Sequence, residues 1–152
     1  MIYFDIASAR PTSLTEPVLK QLGQFLARVL RQRRKREVGV KFVSPKEIHR
    51  LNLSYRHVDR PTDVLSFSSL DANAALPNPF RSSDYLGDLV ICPSYARTEA
   101  KRRGISLHEE LLRLLAHGTL HLAGYDHAKK KDELEMFSLQ ERVVDAMSQS
   151  RV

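Results

Sequence analysis

The sequence contains a single cysteine and no tryptophan among its 152 residues. One cysteine excludes an internal disulfide and any zinc site built from several thiolates. Cys92 ends the apolar stretch LVIC, and we interpret it as a small, buried core residue. A metal site in this chain would therefore have to use histidine or carboxylate ligands.

Long apolar segments are also missing. No run of 18 apolar residues occurs, which disfavours a membrane-spanning helix. The first residues, MIYFDIASARPTSL, have neither the basic nor the apolar region of a secretory signal peptide. We therefore expect a cytoplasmic protein that does not insert into a membrane.

Basic residues exceed acidic ones, 24 against 18, which gives a formal charge of +6. The excess is concentrated in three runs, Arg31–Arg36, Lys101–Arg103 and Lys129–Lys131. Each run taken alone is also typical of a solvated helix end. Three runs in one small domain favour a polyanionic partner, since basic groups that contact phosphates release counterions.

The length fits one domain, residues 1–152. Apolar periodicity and capping residues predict an α+β fold, in which a mixed sheet of about four strands packs on about five helices with a central, buried helix that carries histidines. Capping boxes that begin with Ser44 and Ser106 predict the starts of two helices. The segment VGVKFVS alternates as a strand does, and the first half of the central helix has a polar side that includes Glu110. The predicted strands are Ile2–Ala7, Val38–Ser44, Asp63–Ser68 and Gly87–Cys92, and the predicted helices run from Thr15 to about Arg31, Pro45 to about Tyr55, Pro93 to Gly104, Leu107 to about Ala123 and about Lys131 to Met147. The apolar positions of the last helix are Leu134, Phe137, Leu139, Val143, Val144 and Met147.

The stretch HGTLHLAGYDH, residues 117–127, has the most specific spacing in the chain. His117 and His121 lie one helical turn apart and project to one side of the central helix. Gly124 can end the helix in the left-handed region, so that the chain doubles back and brings His127 within reach. Three imidazoles with an open position are typical of a catalytic zinc site.

The same spacing occurs in metzincin zinc proteases, but these carry a Glu after the first His. Here that position is Gly118, so a protease would lack its general base. The stretch is then either a metal site used for different chemistry or an accidental match. A glycine there also indicates a place where the sheet or a substrate backbone approaches the helix closely.

Three segments together resemble the YbeY family of metal-dependent endoribonucleases, which act as ribosomal RNA maturation factors. These segments are HGTLHLAGYDH, NLSYRHVDRPTDVLSF (Asn52–Phe67) and LGDLVI (Leu86–Ile91). The resemblance implies one zinc ion per chain, held by His117, His121 and His127, with His117 also in a catalytic role. It further implies single-stranded RNA as substrate, a role at the 3′ end of small-subunit ribosomal RNA and in ribosome quality control, and the small ribosomal subunit as a partner.

The resemblance places the family's basic catalytic or substrate-binding residue at Arg56, whose planar guanidinium suits phosphate oxygens. Asp126, next to a proposed ligand, could orient an imidazole through a hydrogen bond. Asp63 and Asp88 either cap backbone or orient a histidine, and Tyr125 either stacks on a base or packs. The general base and the oligomeric state stay unassigned.

Two other functions remain open at this point. One is a metzincin-like metallopeptidase, which the ligand spacing alone would fit. The other is a ribosome-associated RNA-binding module with a structural metal, which the basic runs and the unassigned general base would fit.

Overall fold

The computed structural model describes residues 1–70, 84–125 and 130–150. It confirms the α+β class, with four strands and five helices in the described residues. In chain order the elements are β1 (Ile2–Ile6), α1 (Glu16–Val29), β2 (Arg36–Phe42), α2 (Pro45–Arg56), β3 (Val64–Ser68), β4 (Tyr85–Ile91), α3 (Pro93–Arg103), α4 (Leu107–Leu122) and α5 (Lys130–Gln149). Within these residues, none of the helices is both long and apolar enough to cross a membrane.

The four strands form one mixed sheet in the order β1-β2-β4-β3. β1, β2 and β4 run parallel, while β3 pairs antiparallel with β4 and forms one edge. Val38, Gly39 and Val40 of β2 are all buried, although the sequence suggested an alternating strand. An inner parallel strand that is covered on both faces has no solvent side, and this explains the difference.

The two faces of the sheet carry different cores. The larger core joins the sheet to α1, α4 and α5 and contains Leu89 and Leu115. The smaller core lies under α2 and contains Ile48, Phe67 and Val90. Neighbouring residues of β4 alternate between the faces, so Leu89 points to α4 while Val90 points to α2.

Serine caps start two of the helices as the sequence predicts. The Ser44 hydroxyl accepts a hydrogen bond from the Glu47 amide at 3.2 Å, and the Ser106 hydroxyl accepts one from the Glu109 amide at 3.1 Å. Each bond satisfies one of the amides that a helix start leaves without a partner. The second cap fixes where the histidine-bearing helix α4 begins.

The predicted apolar face of the last helix, α5, is wrong at two positions. Leu134 and Phe137 are 63% and 60% exposed, so they do not belong to the core. The helix packs instead through a stripe at three- and four-residue steps that begins with Met136, which is 1% exposed. The other buried members of the stripe are Leu139, Gln140, Val143, Val144 and Met147.

Candidate active site

His117 and His121 lie on the last two turns of α4, and both are half-buried. Their rings are 5.2 Å apart between centroids and nearly perpendicular, at 79°. The four-residue step along the helix produces this arrangement. Gly124, with a φ of 112°, adopts a positive backbone angle just after the helix ends, as the sequence predicts for the stop.

Gln140 of α5 holds the His117 ring. The Gln140 Oε1 atom lies 2.8 Å from His117 Nδ1. An amide oxygen only accepts hydrogen bonds, so Nδ1 carries the proton and the lone pair of the neutral ring is on Nε2. The Gln140 Nε2 atom in turn donates to Glu141 Oε2 at 3.2 Å, which fixes the orientation of the amide. This arrangement is typical of a ligand histidine whose second nitrogen is anchored.

An ion-pair network holds Glu141, the residue to which Gln140 donates its hydrogen bond. Arg113 of α4 donates to both carboxylate oxygens of Glu141, at 3.0 and 2.9 Å, and also to Glu109 at 3.3 Å. The hydrogen bond from Arg113 lowers the pKa of Glu141, and the same bond raises the pKa of Arg113. The network therefore ties α4 to α5 one turn away from His117 and favours the charged forms of Glu141 and Arg113.

Gly118 faces the sheet. A methyl group at this position would come within 2.5 Å of Leu89 Cδ2 and 3.0 Å of Leu89 Cδ1. The close approach expected from the sequence is therefore made by strand β4. A glutamate at position 118 would enter the buried core rather than reach a water near the histidines.

Three cavities meet at His117, with volumes of about 460, 340 and 150 Å³. Gln140 lines all three, and Phe137 lines the two larger ones. The 460 Å³ cavity extends to Arg103, and the 340 Å³ cavity extends to Lys130. These two residues come from two of the three basic runs, so the site is bordered by positive charge on two sides.

The smallest cavity brings Asp63 and Glu110 close to His117. Asp63 Oδ1 accepts a hydrogen bond from the Val64 amide at 2.8 Å, so it caps the start of β3. Glu110 is 1% exposed, whereas the sequence places it on a polar side of the helix. Burial raises its pKa, and Arg103, whose Nη1 lies 3.6 Å from Oε2, offsets part of this effect. The sequence does not show that α3 covers this side of α4.

Arg56 is the last residue of α2 and lies on the other side of the sheet from His117. Its guanidinium stacks over the Phe67 ring at 5.1 Å and donates to the Ser66 carbonyl on the edge strand β3. Among the described residues, the cavities that His117 lines do not include Arg56. Arg56 is thus oriented toward the β3 edge, and its predicted catalytic role stays a prediction.

The other predicted site residues have separate places. Asp88 lies on the α2 face of β4 and accepts a hydrogen bond from the Tyr85 hydroxyl. Tyr125 is half-buried against the larger core, where burial raises its pKa, so packing is its observed contact. Asp126 and His127 lie outside the described residues, and their predicted roles stay predictions.

The two described histidines fit a metal ion. In residues 1–70, 84–125 and 130–150 there is no group of three or more His, Cys, Asp or Glu side chains that could hold one, and the third predicted ligand falls outside these ranges. Two neighbouring imidazoles, one of them with its Nδ1 anchored, are nevertheless the donor set that zinc prefers. His117 and His121 would hold the ion from one side.

Three supporting residues were not found by reading the sequence. Gln140, Glu141 and Arg113 act together, but the histidine–glutamine pair is 23 residues apart and the arginine–glutamate pair is 28 residues apart. No local spacing relates them. The only signal is a glutamine within the buried stripe of α5, where apolar residues are expected.

Comparison with solved structures agrees with the fold. The solution structure of TM1509 from Thermotoga maritima matches with a TM-score of 0.62 and 32% sequence identity, over 97% of this chain and 89% of that one. The protein is thus a single α+β domain of the type seen there.

Comparison with protein families is equally direct. The family model described as endoribonuclease YbeY matches residues 5–148. Relatives of that name include those of Limosilactobacillus reuteri, 37% identical over 97% of both chains, and of Brevibacillus brevis, 39% identical over 90% of this chain and 93% of the relative. The chain belongs to the endoribonuclease YbeY family, as its motifs predicted, and through this membership it is an endoribonuclease and a hydrolase.

Proposed function

We propose that this protein is a zinc-dependent endoribonuclease specific for single-stranded RNA, which acts in ribosomal RNA processing at the 3′ end of the small-subunit rRNA and in ribosome quality control. One zinc ion per chain is held by His117, His121 and His127, and the protein works in the cytoplasm. The observation that carries the proposal is the pair of perpendicular imidazoles 5.2 Å apart, with His117 Nδ1 anchored by Gln140.

The protein's own residues prepare the site for this chemistry. When bound, zinc would supply an acidified water and a Lewis acid for a phosphoryl oxygen. Gln140 holds the His117 proton on Nδ1, so Nε2 is the ring nitrogen that would bind the ion. Asp63 borders the same cavity and is a candidate to hydrogen-bond a water there. Both histidines are half-buried, which limits the access of bulk water to the site.

Positive charge supports RNA as the substrate. Arg103 lines the 460 Å³ cavity at His117 and Lys130 lines the 340 Å³ cavity, so each of the two larger cavities has a cation that can bind a phosphate. Arg56 presents its guanidinium at the β3 edge and would bind a further phosphate of the same strand. Polyanionic ribosomal RNA is the matching partner.

The two alternatives are less well supported. Metzincin-type proteolysis needs a base at position 118, but this position packs against Leu89 of the sheet. A binding module with a structural metal does not agree with membership of an endoribonuclease family.

Cleavage assays test the proposal directly. Zinc-loaded protein should cut a single strand that carries the 3′ region of small-subunit rRNA, and should leave a duplex of the same sequence intact. His117→Ala should lose this activity. His49→Ala is a matched control, because His49 is an exposed histidine that pairs with Asp59 at 2.7 Å. Equal cleavage by wild type and His117→Ala would refute the proposal.

The ribosomal role needs a separate measurement. Cells that lack the protein should accumulate small-subunit rRNA with an unprocessed 3′ end, and the wild-type gene should restore the mature end. His117→Ala should fail to restore it, whereas His49→Ala should succeed. Normal 3′ ends in cells without the protein would contradict this role while leaving the in vitro activity standing.

A further inference from the structure

Helix α5 exposes two large apolar side chains next to the histidine site. Leu134 and Phe137 are 63% and 60% exposed and lie three residues apart, so they share one side of the helix. The flanking residues on that side, Lys130 and Glu133, are polar and exposed. An aromatic ring left in solvent at the border of an active site indicates a binding role more than a packing role.

Phe137 has a particular place among the cavities. It lines both larger cavities, and each of these is also lined by His117 and Gln140. The ring therefore borders both the cavity that Lys130 lines and the cavity that Arg103 lines. A strand that occupies both cavities would contact Phe137 and His117.

The charges beside Phe137 favour a phosphate backbone. Arg113 also borders the 460 Å³ cavity, but Glu141 and Glu109 already hold its guanidinium. Arg103 is different, because its side chain is 46% exposed and its nearest carboxylate, that of Glu110, is 3.6 Å away. Arg103 in the 460 Å³ cavity and the exposed Lys130 in the 340 Å³ cavity, which Glu133 also lines, thus provide a cation in each cavity that Phe137 lines.

We propose that Phe137 is a stacking platform for one unpaired nucleobase of the substrate, with the neighbouring phosphates directed to Arg103 and Lys130 and the intervening phosphodiester near His117. The inference rests on the proposed function and adds a source of its single-strand specificity. A base inside a duplex is already stacked and paired, so it cannot lie on the ring without unpairing. Leu134 extends the apolar surface beside the base.

Binding measurements test the platform. The zinc-loaded full chain is titrated into a fluorescent single-stranded RNA of about twelve nucleotides whose phosphorothioate linkages slow strand cleavage, and anisotropy gives the Kd. Stacking on one aromatic ring is worth about 1–3 kcal/mol per base, so Phe137→Ala should weaken binding roughly tenfold, and Phe137→Trp should restore it. Tyr3→Ala is the matched control, because Tyr3 is a 46% exposed aromatic residue on the far edge strand β1.

An abasic strand of the same length separates stacking from charge. It keeps the phosphates but has no bases, so Phe137→Ala and wild type should bind it equally, while Arg103→Ala and Lys130→Ala should bind it more weakly. Unchanged affinity of Phe137→Ala for the normal RNA would overturn the inference. An equal loss on both strands would also overturn it, because the effect would not depend on a base.

Two further outcomes distinguish a failure of the stacking platform from a failure of the proposed function. If the wild type binds neither strand, the proposed RNA substrate fails and the platform fails with it. If Phe137→Ala binds RNA normally but changes the sedimentation of the protein, the apolar surface is a contact between copies of the chain, and only the platform fails. Circular dichroism melting confirms that each variant is folded.

Discussion

The two faces of the sheet differ in the size of the core that each carries and in the polar residues at its border. The α4 face holds the larger core and ends at a polar group that contains the half-buried His117 and the buried Gln140. The α2 face holds a small core of Ile48, Leu65 and Phe67 and their neighbours, with Arg56 stacked on its outer side. One face thus places the half-buried His117 imidazole beside cavities, while the other directs the Arg56 guanidinium toward the edge strand β3.

This difference separates the predicted functional residues in space. His117 lies on the α4 face, whereas Arg56 lies on the α2 face and donates to the Ser66 carbonyl of the edge strand β3. The motif segment Asn52–Phe67 contains Arg56 and continues into β3. One sequence segment thus supplies both the arginine and the edge strand to which it donates.

The largest expected effect comes from Gly118→Glu. The new side chain would meet Leu89 and bring an unpaired carboxylate into the core, so we expect a loss of more than about 4 kcal/mol in the free energy of unfolding. Urea denaturation measures it. Leu53→Glu adds the same side chain at a position on α2 that is 47% exposed, and should change stability by less than about 0.5 kcal/mol. A stable Gly118→Glu protein with protease activity would contradict the assignment of position 118 to the sheet.

The next largest effect is expected when one buried side chain in each of the two cores is shortened to alanine. Leu115→Ala on the α4 face and Ile48→Ala on the α2 face each remove a fully buried side chain, and each should cost about 2–5 kcal/mol of unfolding free energy. Only Leu115→Ala should also weaken zinc binding, because Leu115 lies two residues from His117 on α4. Equal zinc affinities for the two variants would show that the site does not depend on the packing of its own face.

A smaller effect is expected when the Gln140 oxygen that accepts the hydrogen bond from His117 is removed. Gln140→Leu keeps the size of the side chain but deletes the acceptor for His117 Nδ1, so zinc affinity should fall about 10- to 100-fold. Competition with a chromophoric chelator measures the affinity. Gln149→Leu, at an exposed position near the end of the same helix, is the control. If both variants bound zinc as the wild type does, Gln140 would be a packing residue only.

The smallest effect concerns Glu110 and pH. Burial raises its pKa above the ordinary 4.5, so the folded state prefers the protonated carboxyl. The stability from this preference is fully present below pH 4.5 and is lost as the pH rises through the folded pKa. Glu110→Gln should therefore be more stable than the wild type at pH 7, with a smaller difference near pH 4. The exposed Glu135→Gln should show no such trend, and a trend of the opposite sign would contradict the burial argument.

Local chemistry in the sequence predicted much of this molecule. The Ser44 and Ser106 caps, the stop at Gly124 and the order of elements follow from neighbouring residues, and the structure confirms them. The paired histidines follow from a four-residue step, which fixes a common side of one helix whatever else surrounds it.

Contacts between distant elements could not be predicted in the same way. Leu134 and Phe137 look like core residues, but the packing of α5 on α4 and α1 selects Met136 instead. Glu110 looks like a surface residue until α3 brings Arg103 beside it. The Gln140 anchor likewise depends on how two helices meet. A single sequence does not show which side of one helix another helix will cover.

The central claim is that the end of α4 holds a metal ion, and elemental analysis of the purified protein tests it most directly. We expect one zinc ion per chain in the wild type and in His49→Ala, and none in His121→Ala, which should remain folded. Chelation should also lower the Tm of the wild type by about 5–10 °C if zinc is present at about 100 times its Kd, and should leave that of His121→Ala unchanged. Absence of metal from the wild type, or full zinc content in His121→Ala, would contradict the account.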